Sequence, residues 1–328
     1  MGDACGIGPE IIARAFRSGA AANAFVIGDV AVMRRAAALT GGLLPVLEIE
    51  AAADVAGCPP RALPVLQTPG LAAGLVDAPL GQVDARAGAA AAAAVRAAVA
   101  LALQGEVAAI VTAPVHKAAL AAAGIDFPGH TEMLQAWSGA GAVRMMLAND
   151  ELRVVLATIH VSLRRAIEQV TFDAVLETLR IAHRFALPKG APAPRIAVGG
   201  LNPHAGEGGL FGDEEVRIIA PAVATARAEG IDAQGPFAPD TVFMRARHAP
   251  PTHPGEFDVV VAMTHDHGLI PVKYLGVADG VNVTLGLPFV RTSPDHGTAF
   301  DLAGSGRADA SSLEKAIRVA RSLAGNTA

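Results

Sequence analysis

Cysteine and the large aromatic residues are scarce in this chain. Its 328 residues include two cysteines, one tryptophan and one tyrosine. Cys5 and Cys58 are too few for a disulfide framework, which favours a reducing compartment such as the cytoplasm. The net charge is −5 and no block of one charge sign occurs, so we expect no nucleic-acid partner. Asp3 and Glu10 lie where a signal peptide would have its apolar core.

Hydrophobic residues make up 52% of the chain, which excludes a disordered protein. At roughly 100–200 residues per domain, this length predicts two domains with a sizeable core. The alanine-rich tract 87–103 carries Arg96 at its centre, so we interpret it as a buried amphipathic helix and expect no membrane span. Ten histidines are the unusual feature of the composition.

Short β-branched runs alternate with longer Ala/Leu/Arg-rich stretches, a pattern typical of α/β proteins. The predicted strands are 24–27, 107–112, 143–148, 153–159, 195–199, 258–263 and 281–284. The predicted helices are 9–17, 85–103, 172–185, 214–229 and 311–323.

The N-terminal segment is a glycine-rich turn that runs into a helix, with Pro9 in a favourable first-turn position. Such a turn normally follows a strand, so we expect either that a first strand is absent from this chain or that its start is misassigned. The Gly6-x-Gly8 pair lacks the third glycine of a dinucleotide fingerprint, which makes a Rossmann interpretation weak.

Histidines follow three of the predicted strands. They are His160, His204 within the glycine-rich segment 200–209, and the pair His265 and His267, which strand alternation would place on one face. Imidazoles at strand ends could enclose one divalent ion. The alternatives are satisfied core histidines and a plain glycine-rich turn, and spacing alone does not decide between them.

Lys273, Asn282 and Arg291 also lie near predicted strand ends. Together they offer a point charge, an amide donor and a bidentate fork, which suit a phosphate group. The alternative is a set of surface charges.

Two further polar pairs border predicted helices. His130 and Thr131 precede one, where Thr131 could simply be the N-cap, and His116 with Lys117 could be helix-entry residues.

The segment 295–308 contains two glycine-rich turns around a short apolar piece. It resembles the adenosine-binding loop of the isocitrate and isopropylmalate dehydrogenases, which bind NAD(P) without a Rossmann fingerprint. A plain loop is the alternative. On this resemblance the cofactor-binding residues are His296, Gly297, Thr298, Ala299 and Asp301.

The ordered series of motifs resembles the 4-hydroxythreonine-4-phosphate dehydrogenase (PdxA) family from Gly2 to the C-terminal helix. The motifs are Gly-Ile-Gly-Pro-Glu, Ala-Pro-Val-His-Lys, Gly-His-Thr-Glu, Leu-Asn-Pro-His-Ala-Gly-Glu-Gly-Gly, His-Asp-x-Gly, Gly-Val-Asn-Val-Thr-Leu-Gly-Leu-Pro and Arg-Thr-Ser-x-Asp-His-Gly-Thr-Ala. The resemblance implies two α/β/α domains of the isocitrate/isopropylmalate dehydrogenase kind with an active-site cleft between them. The first would comprise residues 1–130 with about 285–328, and the second, with the metal ligands and the dimer contact, about 131–284.

The resemblance also implies chemistry: NAD as oxidant, with NADP as the alternative, one divalent ion (Zn, Mg, Co or Mn), a small phosphorylated substrate and a homodimer with its sites near the interface. Residue by residue, it places metal ligands on His160, His204 and His265, substrate contacts on His130 and Thr131, and phosphate contacts on Lys273, Asn282 and Arg291.

The implied reaction is oxidation of 4-phosphohydroxy-L-threonine at C3 followed by decarboxylation, as in pyridoxal phosphate biosynthesis. Asp266, Asp240 and Lys117 are candidates for the proton acceptor, and we expect it to be Asp266 or Lys117.

The chain departs from the family pattern in three places, and the third bears on the substrate. The first strand is missing, Ala4-Cys5 replaces Pro-Ala, and Thr264 and His267 replace Tyr and Gln beside a predicted ligand. The segment 268–273 resembles the paralogous branch that acts on threonate or erythronate 4-phosphate. A further branch oxidises the cis-dihydrodiol of terephthalate, but Asn282 and Arg291 favour a retained phosphate site.

Overall fold

The structure is a computed structural model, and it describes residues 1–187, 190–276 and 280–325. The helices in this part of the chain are α1 Gly8–Ser18, α2 Val30–Leu39, α3 Ala85–Leu103, α4 Lys117–Ala122, α5 His130–Ser138, α6 Leu163–Gln169, α7 Phe172–Phe185, α8 Ala220–Ala228, α9 Val242–Ala246, α10 His265–Leu275 and α11 Ser311–Leu323. The strands are β1 Val26–Gly28, β2 Val46–Ile49, β3 Leu63–Gln67, β4 Ala109–Val111, β5 Arg144–Ala148, β6 Arg153–Leu156, β7 Ile196–Gly199, β8 Ala233–Phe237, β9 His248–Ala249, β10 His253–Pro254, β11 Val259–Ala262, β12 Val281–Leu285 and β13 Val290–Pro294.

The chain divides into two compact α/β units. The first comprises residues 1–141 and 287–328, and the second residues 142–286. The expected bounds were near residues 130 and 285, so the second bound agrees within two residues and the first lies about eleven residues later. Helix α5 therefore belongs to the first unit rather than the second. The α/β class predicted from the alternating pattern is confirmed.

The first unit contains a three-stranded parallel sheet in the order β1-β3-β2 and a parallel pair formed by β4 and β13. Its core includes Ile11, Met33 and Leu63, which are fully buried. Helix α3 begins at the N-cap Asp84, whose carboxylate accepts from the N–H of Arg86 at 2.8 Å.

Helix α3 is the one described helix long and apolar enough to cross a membrane by length and composition. Half of its most apolar window is buried inside the protein. A Cβ at Gly88 would lie 2.0 Å from the carbonyl oxygen of Ala119, so α3 packs directly against the backbone of α4. Arg96 is exposed and lies over the ring of Trp137, 4.7 Å from its centroid. These contacts are those of a core helix.

The second unit is built on a mixed sheet in the order β12-β5-β6-β11-β7-β8. Strand β5 is antiparallel to β12 and β6, whereas β6, β11, β7 and β8 run parallel. Both β7 and β11 are buried along their whole length, as expected for strands covered by helices on both faces. The carboxyl ends of β6, β11 and β7 therefore lie side by side at one edge.

Several local predictions need correction. Residues His265 and His267 do not continue a strand, because β11 ends at Ala262 and α10 begins at His265. Positions i and i+2 of a helix point in different directions, so the two imidazoles do not share a face. Thr131 is not an N-cap: α5 starts at His130 after Gly129. The predicted helix 214–229 is divided into a π-helical turn, Glu215–Ile219, and α8.

Candidate functional site

The three predicted metal ligands follow the carboxyl ends of three neighbouring parallel strands in the second unit. His160 comes after β6, His265 after β11 and His204 after β7, and β11 lies between the other two. Open α/β sheets place ligand sites at this edge. Residues far apart in sequence are thus brought to one edge by the strand order.

The ends of β6 and β11 are tied together by hydrogen bonds. The hydroxyl of Thr158 donates to the carbonyl oxygen of Met263 at 2.8 Å, and the N–H of Ala157 donates to that of Ala262 at 2.9 Å. Beyond them the imidazoles of His160 and His265 lie side by side, with 5.7 Å between ring centroids and 46° between ring planes. His160 has a φ of 48°, a left-handed conformation that is uncommon for a residue with a side chain.

Asp266 holds one of these rings. Its Oδ1 lies 2.7 Å from Nδ1 of His265, which leaves Nε2 as the nitrogen directed elsewhere. A carboxylate on the second nitrogen is the usual partner of a metal-binding histidine, because it sets the tautomer and the ring orientation. The predicted general base is therefore engaged with a predicted ligand.

The loop that carries His204 has an unusual backbone. His204, Ala205 and Glu207 have φ values of 53°, 52° and 43°. Such left-handed positions are unfavourable for residues with side chains and persist only where the surroundings impose them. A run of this kind points to a functional loop.

Glu215, which the sequence analysis did not single out, anchors this loop. The carboxylate is 2% exposed and accepts from the N–H groups of Leu201 and Asn202, both at 2.7 Å, and from Nδ2 of Asn202 at 2.9 Å. Burial by itself raises the pKa of Glu215, but these hydrogen bonds outweigh it and lower the pKa. The group is thus a fixed anion inside the unit. No motif identifies it, because the contacts are tertiary.

The donor chemistry at this edge suits a divalent ion with nitrogen preference. Two adjacent imidazoles, one backed by a carboxylate, fit such an ion. Within the described residues, however, no group of three or more His, Cys, Asp or Glu side chains has a metal-holding arrangement. The structure therefore brings His160 and His265 together, and the ligand role of His204 stays a prediction.

The other predicted residues of the second unit lie on several different elements. Lys273 is in the last turn of α10 and Asn282 is the second residue of β12, both half-buried. His267 is half-buried in the first turn of α10, and burial lowers its pKa although Asp266 opposes the shift. Asp240, the remaining candidate base of this unit, is exposed.

In the first unit, the structure brings Arg291 together with His130. Arg291 is 3% exposed, and its guanidinium donates to the hydroxyl of Thr112 at 2.6 Å. Burial lowers the pKa of Arg291 to about 10, so it remains a cation at neutral pH, with Glu132 acting in the opposite direction. The pKa of His130 is lowered well below its ordinary value by burial, by the charge of Arg291 and by the chain's amino terminus.

His130 is therefore neutral at pH 7, and its Nε2 is buried with no hydrogen-bond partner in the described part of the chain. A buried cation beside an unpartnered imidazole nitrogen is an arrangement suited to an anionic group that also carries a hydroxyl or amine. Thr131 is half-buried in the same turn of α5.

The predicted cofactor loop lies against the N-terminal turn and α1. The N–H of Ile7 donates to the carbonyl oxygen of Thr298 at 3.0 Å, and a Cβ at Gly6 would lie 2.9 Å from Cβ of Thr298. Ala299 has a φ of 40°. His296 and Asp301 are exposed, whereas Thr298 is buried. The glycine of the turn is thus required for close approach of the loop.

Two residues that were not predicted for this loop stabilise it. The carboxylate of Glu10, 2% exposed, accepts from the N–H of Gly304 at 2.5 Å and from that of Gly306 at 2.9 Å. His116 stacks on Phe300 with 4.5 Å between ring centroids. Lys117, one of the candidate bases, is exposed at the first position of α4.

Fold and site together define a two-unit α/β protein with histidines at one sheet edge and a buried cation in the other unit. The family model of the pyridoxal phosphate biosynthetic protein PdxA matches residues 20–320. A relative from Beijerinckia indica, "4-hydroxythreonine-4-phosphate dehydrogenase", is 56% identical over 98% of this chain and 93% of its own. The "D-threonate 4-phosphate dehydrogenase" of Salmonella typhimurium is 45% identical over 99% of this chain and 97% of its own.

A solved structure agrees with these relatives. The crystal structure of 4-hydroxythreonine-4-phosphate dehydrogenase from Klebsiella pneumoniae matches with a TM-score of 0.89 and 45% identity, covering 99% of this chain and 96% of that one. This chain belongs to the PdxA family, and the resemblance seen in its motifs is confirmed.

Proposed function

We propose that this protein is a dehydrogenase that oxidises 4-phosphohydroxy-L-threonine at C3 with NAD and a divalent ion, and that the resulting β-keto acid loses carbon dioxide to give an amino-oxopropyl phosphate. The observation that carries the proposal is the near-full-length similarity to the Beijerinckia relative of that name. When bound, the two cofactors supply the hydride acceptor and the Lewis acid.

Binding of the phosphate is assigned to Arg291, with Lys273 and Asn282 as the other predicted contacts. Arg291 is a buried guanidinium that stays charged at neutral pH, and a guanidinium is the side chain best matched to a phosphate. The neutral His130 would accept or donate one hydrogen bond at the polar end of the same substrate, with Thr131 beside it. Binding energy from the phosphate then orients C3 for hydride loss.

The metal is assigned to His160, His204 and His265, with Asp266 orienting His265 through Nδ1. This orienting role leaves Lys117 and Asp240 as the remaining candidates for the proton acceptor. NAD is assigned to the loop of His296, Gly297, Thr298, Ala299 and Asp301, which Glu10 stabilises from α1.

The second candidate is oxidation of threonate or erythronate 4-phosphate. It is favoured by the Salmonella relative and by Thr264 and His267, which flank a predicted ligand. These two residues would change the surroundings of the substrate group that is a hydroxyl in one substrate and an amine in the other.

A screen for NADH formation tests both candidates. The purified chain is given NAD, a divalent ion and one of four substrates: 4-phosphohydroxy-L-threonine, threonate 4-phosphate, erythronate 4-phosphate or the terephthalate dihydrodiol. We expect the highest kcat/KM with the first. A preference for either sugar-acid phosphate would establish the second candidate, and no NADH with any of them would overturn the dehydrogenase assignment.

The metal assignment is tested in the same assay. His204→Ala should abolish metal-dependent NADH formation, and the matched control His248→Ala, an exposed histidine of the same unit, should leave it unchanged. Undiminished activity of His204→Ala would remove His204 from the ligand set.

We also propose a homodimer in the cytoplasm, joined through the second unit. Nine large apolar side chains of this unit are exposed, against four in the first, among the described residues: Val161, Leu163, Ile167, Leu210, Phe211, Val216, Met244, Ile270 and Tyr274. Exposed apolar surface of this extent favours an interface. Leu163→Asp should yield a monomer in sedimentation, whereas Leu43→Asp, at a 99% exposed position of the first unit, should not.

A further inference from the structure

The loop that carries His204 is wound as a left-handed turn. In the turn Pro203–Gly209, the five successive residues 204–208 have φ values between 43° and 75° and ψ values between −6° and 52°. These values scatter around the mirror image of 3₁₀ geometry, which repeats every three residues. Side chains at positions i and i+3 of such a turn lie one above the other.

This repeat places His204 and Glu207 on one face of the turn. Both residues are exposed. Gly206 is on another face, which is directed into the unit: it is buried, and a Cβ built there would lie 2.7 Å from Oε2 of Glu215. The burial of the turn thus agrees with its repeat, and the face that carries a predicted metal ligand also carries a carboxylate.

Glu207 occupies a backbone position that favours glycine. Its φ is 43° and its ψ is 52°, a region in which the Cβ of an L-residue crowds the following carbonyl oxygen. Gly206 and Gly208 on either side adopt the same left-handed region without that strain. Strained positions of this kind cluster at functional sites, which directs attention to the side chain that the position carries.

Contacts inside the protein do not account for this side chain. Within the described residues, the carboxylate of Glu207 takes part in no hydrogen bond or ion pair, although its carbonyl oxygen accepts from the N–H of Leu210 at 3.4 Å. In the same part of the chain, neither ring nitrogen of His204 has a hydrogen-bond partner. The imidazole of His265, by contrast, has Asp266 beside Nδ1 at 2.7 Å.

We propose that Glu207 is the positioning carboxylate of His204. With a divalent ion on one ring nitrogen of His204, Glu207 accepts a hydrogen bond from the N–H of the other, the role that Asp266 has for His265. The two side chains are within reach of each other because residues one turn apart are neighbours. This inference rests on the metal assignment of the proposed function.

The affinity of the full chain for Zn²⁺, measured by competition with a chromophoric chelator, tests this role. Glu207→Ala should weaken Zn²⁺ binding by about 10–100-fold. Glu207→Gln should weaken it less, because the amide oxygen still accepts a hydrogen bond from the imidazole. Glu168→Gln, at an exposed position of α6 in the same unit, is the matched control and should leave the affinity unchanged.

Two glycine variants separate the side chain from the backbone strain. Glu207→Gly and Ala205→Gly each relieve a left-handed residue, with φ values of 43° and 52°. Glu207→Gly should have a thermal midpoint about 1–2 °C above that of Glu207→Ala, with the same loss of Zn²⁺ affinity. Ala205→Gly should keep the Zn²⁺ affinity of the parent protein, since it removes strain but no carboxylate.

Unchanged Zn²⁺ affinity of Glu207→Ala, where His204→Ala abolishes Zn²⁺ binding, would overturn the positioning role and leave the metal assignment intact. Equal losses in Glu207→Gln and Glu207→Ala would show a direct ligand of the ion and would also overturn it. If His204→Ala binds Zn²⁺ as tightly as the parent protein, the metal assignment itself is wrong and the positioning role falls with it. None of these measurements requires turnover of a substrate.

Discussion

Replacing Glu215 by Gln should loosen the His204 loop selectively. The carboxylate accepts three hydrogen bonds, two from the backbone N–H groups of Leu201 and Asn202 at 2.7 Å and one from Nδ2 of Asn202 at 2.9 Å. The amide keeps one oxygen for the backbone donors, but its NH₂ group faces the Asn202 donor. Asn202 cannot simply flip, because the same Nδ2 donates to Glu214 at 2.7 Å.

The magnitude follows from these contacts. A hydrogen bond to a charged group contributes about 1.5–3 kcal/mol. Losing one and weakening two should therefore cost about 2–4 kcal/mol of local stability. Hydrogen exchange of the peptide covering residues 196–209 measures this cost directly. Glu214→Gln, which removes the charge from a half-buried neighbour with one bond to Asn202, is the matched control and should cost less than about 1.5 kcal/mol.

The pH dependence gives a second check on Glu215. Its pKa is lowered in the folded state, so the folded protein holds fewer protons than the unfolded chain near the ordinary value of about 4.3. The stabilisation is then fully present above that pH and is lost as the pH falls through the folded pKa. The difference in urea midpoint between the parent and Glu215→Gln should be constant from pH 7 to 5 and shrink below about 4.3. A cost under about 0.5 kcal/mol, or a difference that ignores pH, would refute the anchoring role.

Three further outcomes follow from the first unit. Arg291→Lys should raise KM for the phosphorylated substrate about tenfold with the fold intact by circular dichroism, because Lys lacks the bidentate fork; an unchanged KM would remove Arg291 from the phosphate site. Glu10→Gln should weaken NAD binding about tenfold in calorimetry, because Glu10 accepts from the N–H groups of Gly304 and Gly306. The control Glu314→Gln should leave NAD affinity unchanged. Equal NAD affinities of Glu10→Gln and the parent protein would contradict the positioning role of Glu10. Burial lowers the pKa of the Met1 amino group to about 5, so between about pH 5 and 8 the unfolded amine binds a proton that the folded amine does not, and the free energy of unfolding rises with pH. Acetylating this amino group should remove that rise. A slope of stability against pH that acetylation leaves unchanged in urea titrations would contradict the burial of the amine.

Helices with strong local signals were predictable to the residue. The bounds of α3, α7 and α11 agree with the predicted 85–103, 172–185 and 311–323. In α7 the N-cap Thr171 accepts from Ala174, and Val175 and Leu179 form a buried stripe. Helical periodicity is a local property, so the sequence carries it openly, whereas α11 begins after Ala310 without a side-chain cap although Ser311 and Glu314 have the spacing of a capping box.

Elements with conflicting local signals were missed. Strand β3 contains Pro64, which reads as a strand breaker although β3 is the central strand of its sheet. Helix α2 was also missed, even though Asp29 is a good N-cap signal and accepts from Val32 at 2.8 Å. The change from strand to helix at His265 was invisible because His-Asp-His alternates like a strand.

The candidate site divides in the same way between what motifs show and what only packing shows. The histidines are predictable because each follows an apolar strand. The order of those strands is not, since nothing local indicates that β11, which precedes His265, lies between β6 and β7, which precede His160 and His204. The residues that hold the loops in place were not found at all: Thr158, Glu215 and Glu10 act through partners as far away as residues 263, 201 and 306. Glu10 ends the Gly-Ile-Gly-Pro-Glu motif, but the motif does not show that its carboxylate holds the loop of Gly304 and Gly306, because that contact is tertiary. Yet the three residues hold in place the backbone of the loops that carry the predicted metal ligands and cofactor contacts. The geometry of a binding site depends on how well such supporting contacts fix its side chains. Substitutions at these three positions should therefore weaken binding of the metal ion or of NAD although every side chain that contacts them is still present. Such a loss of affinity would show that Thr158, Glu215 and Glu10 position the binding residues rather than bind the ion or the cofactor themselves.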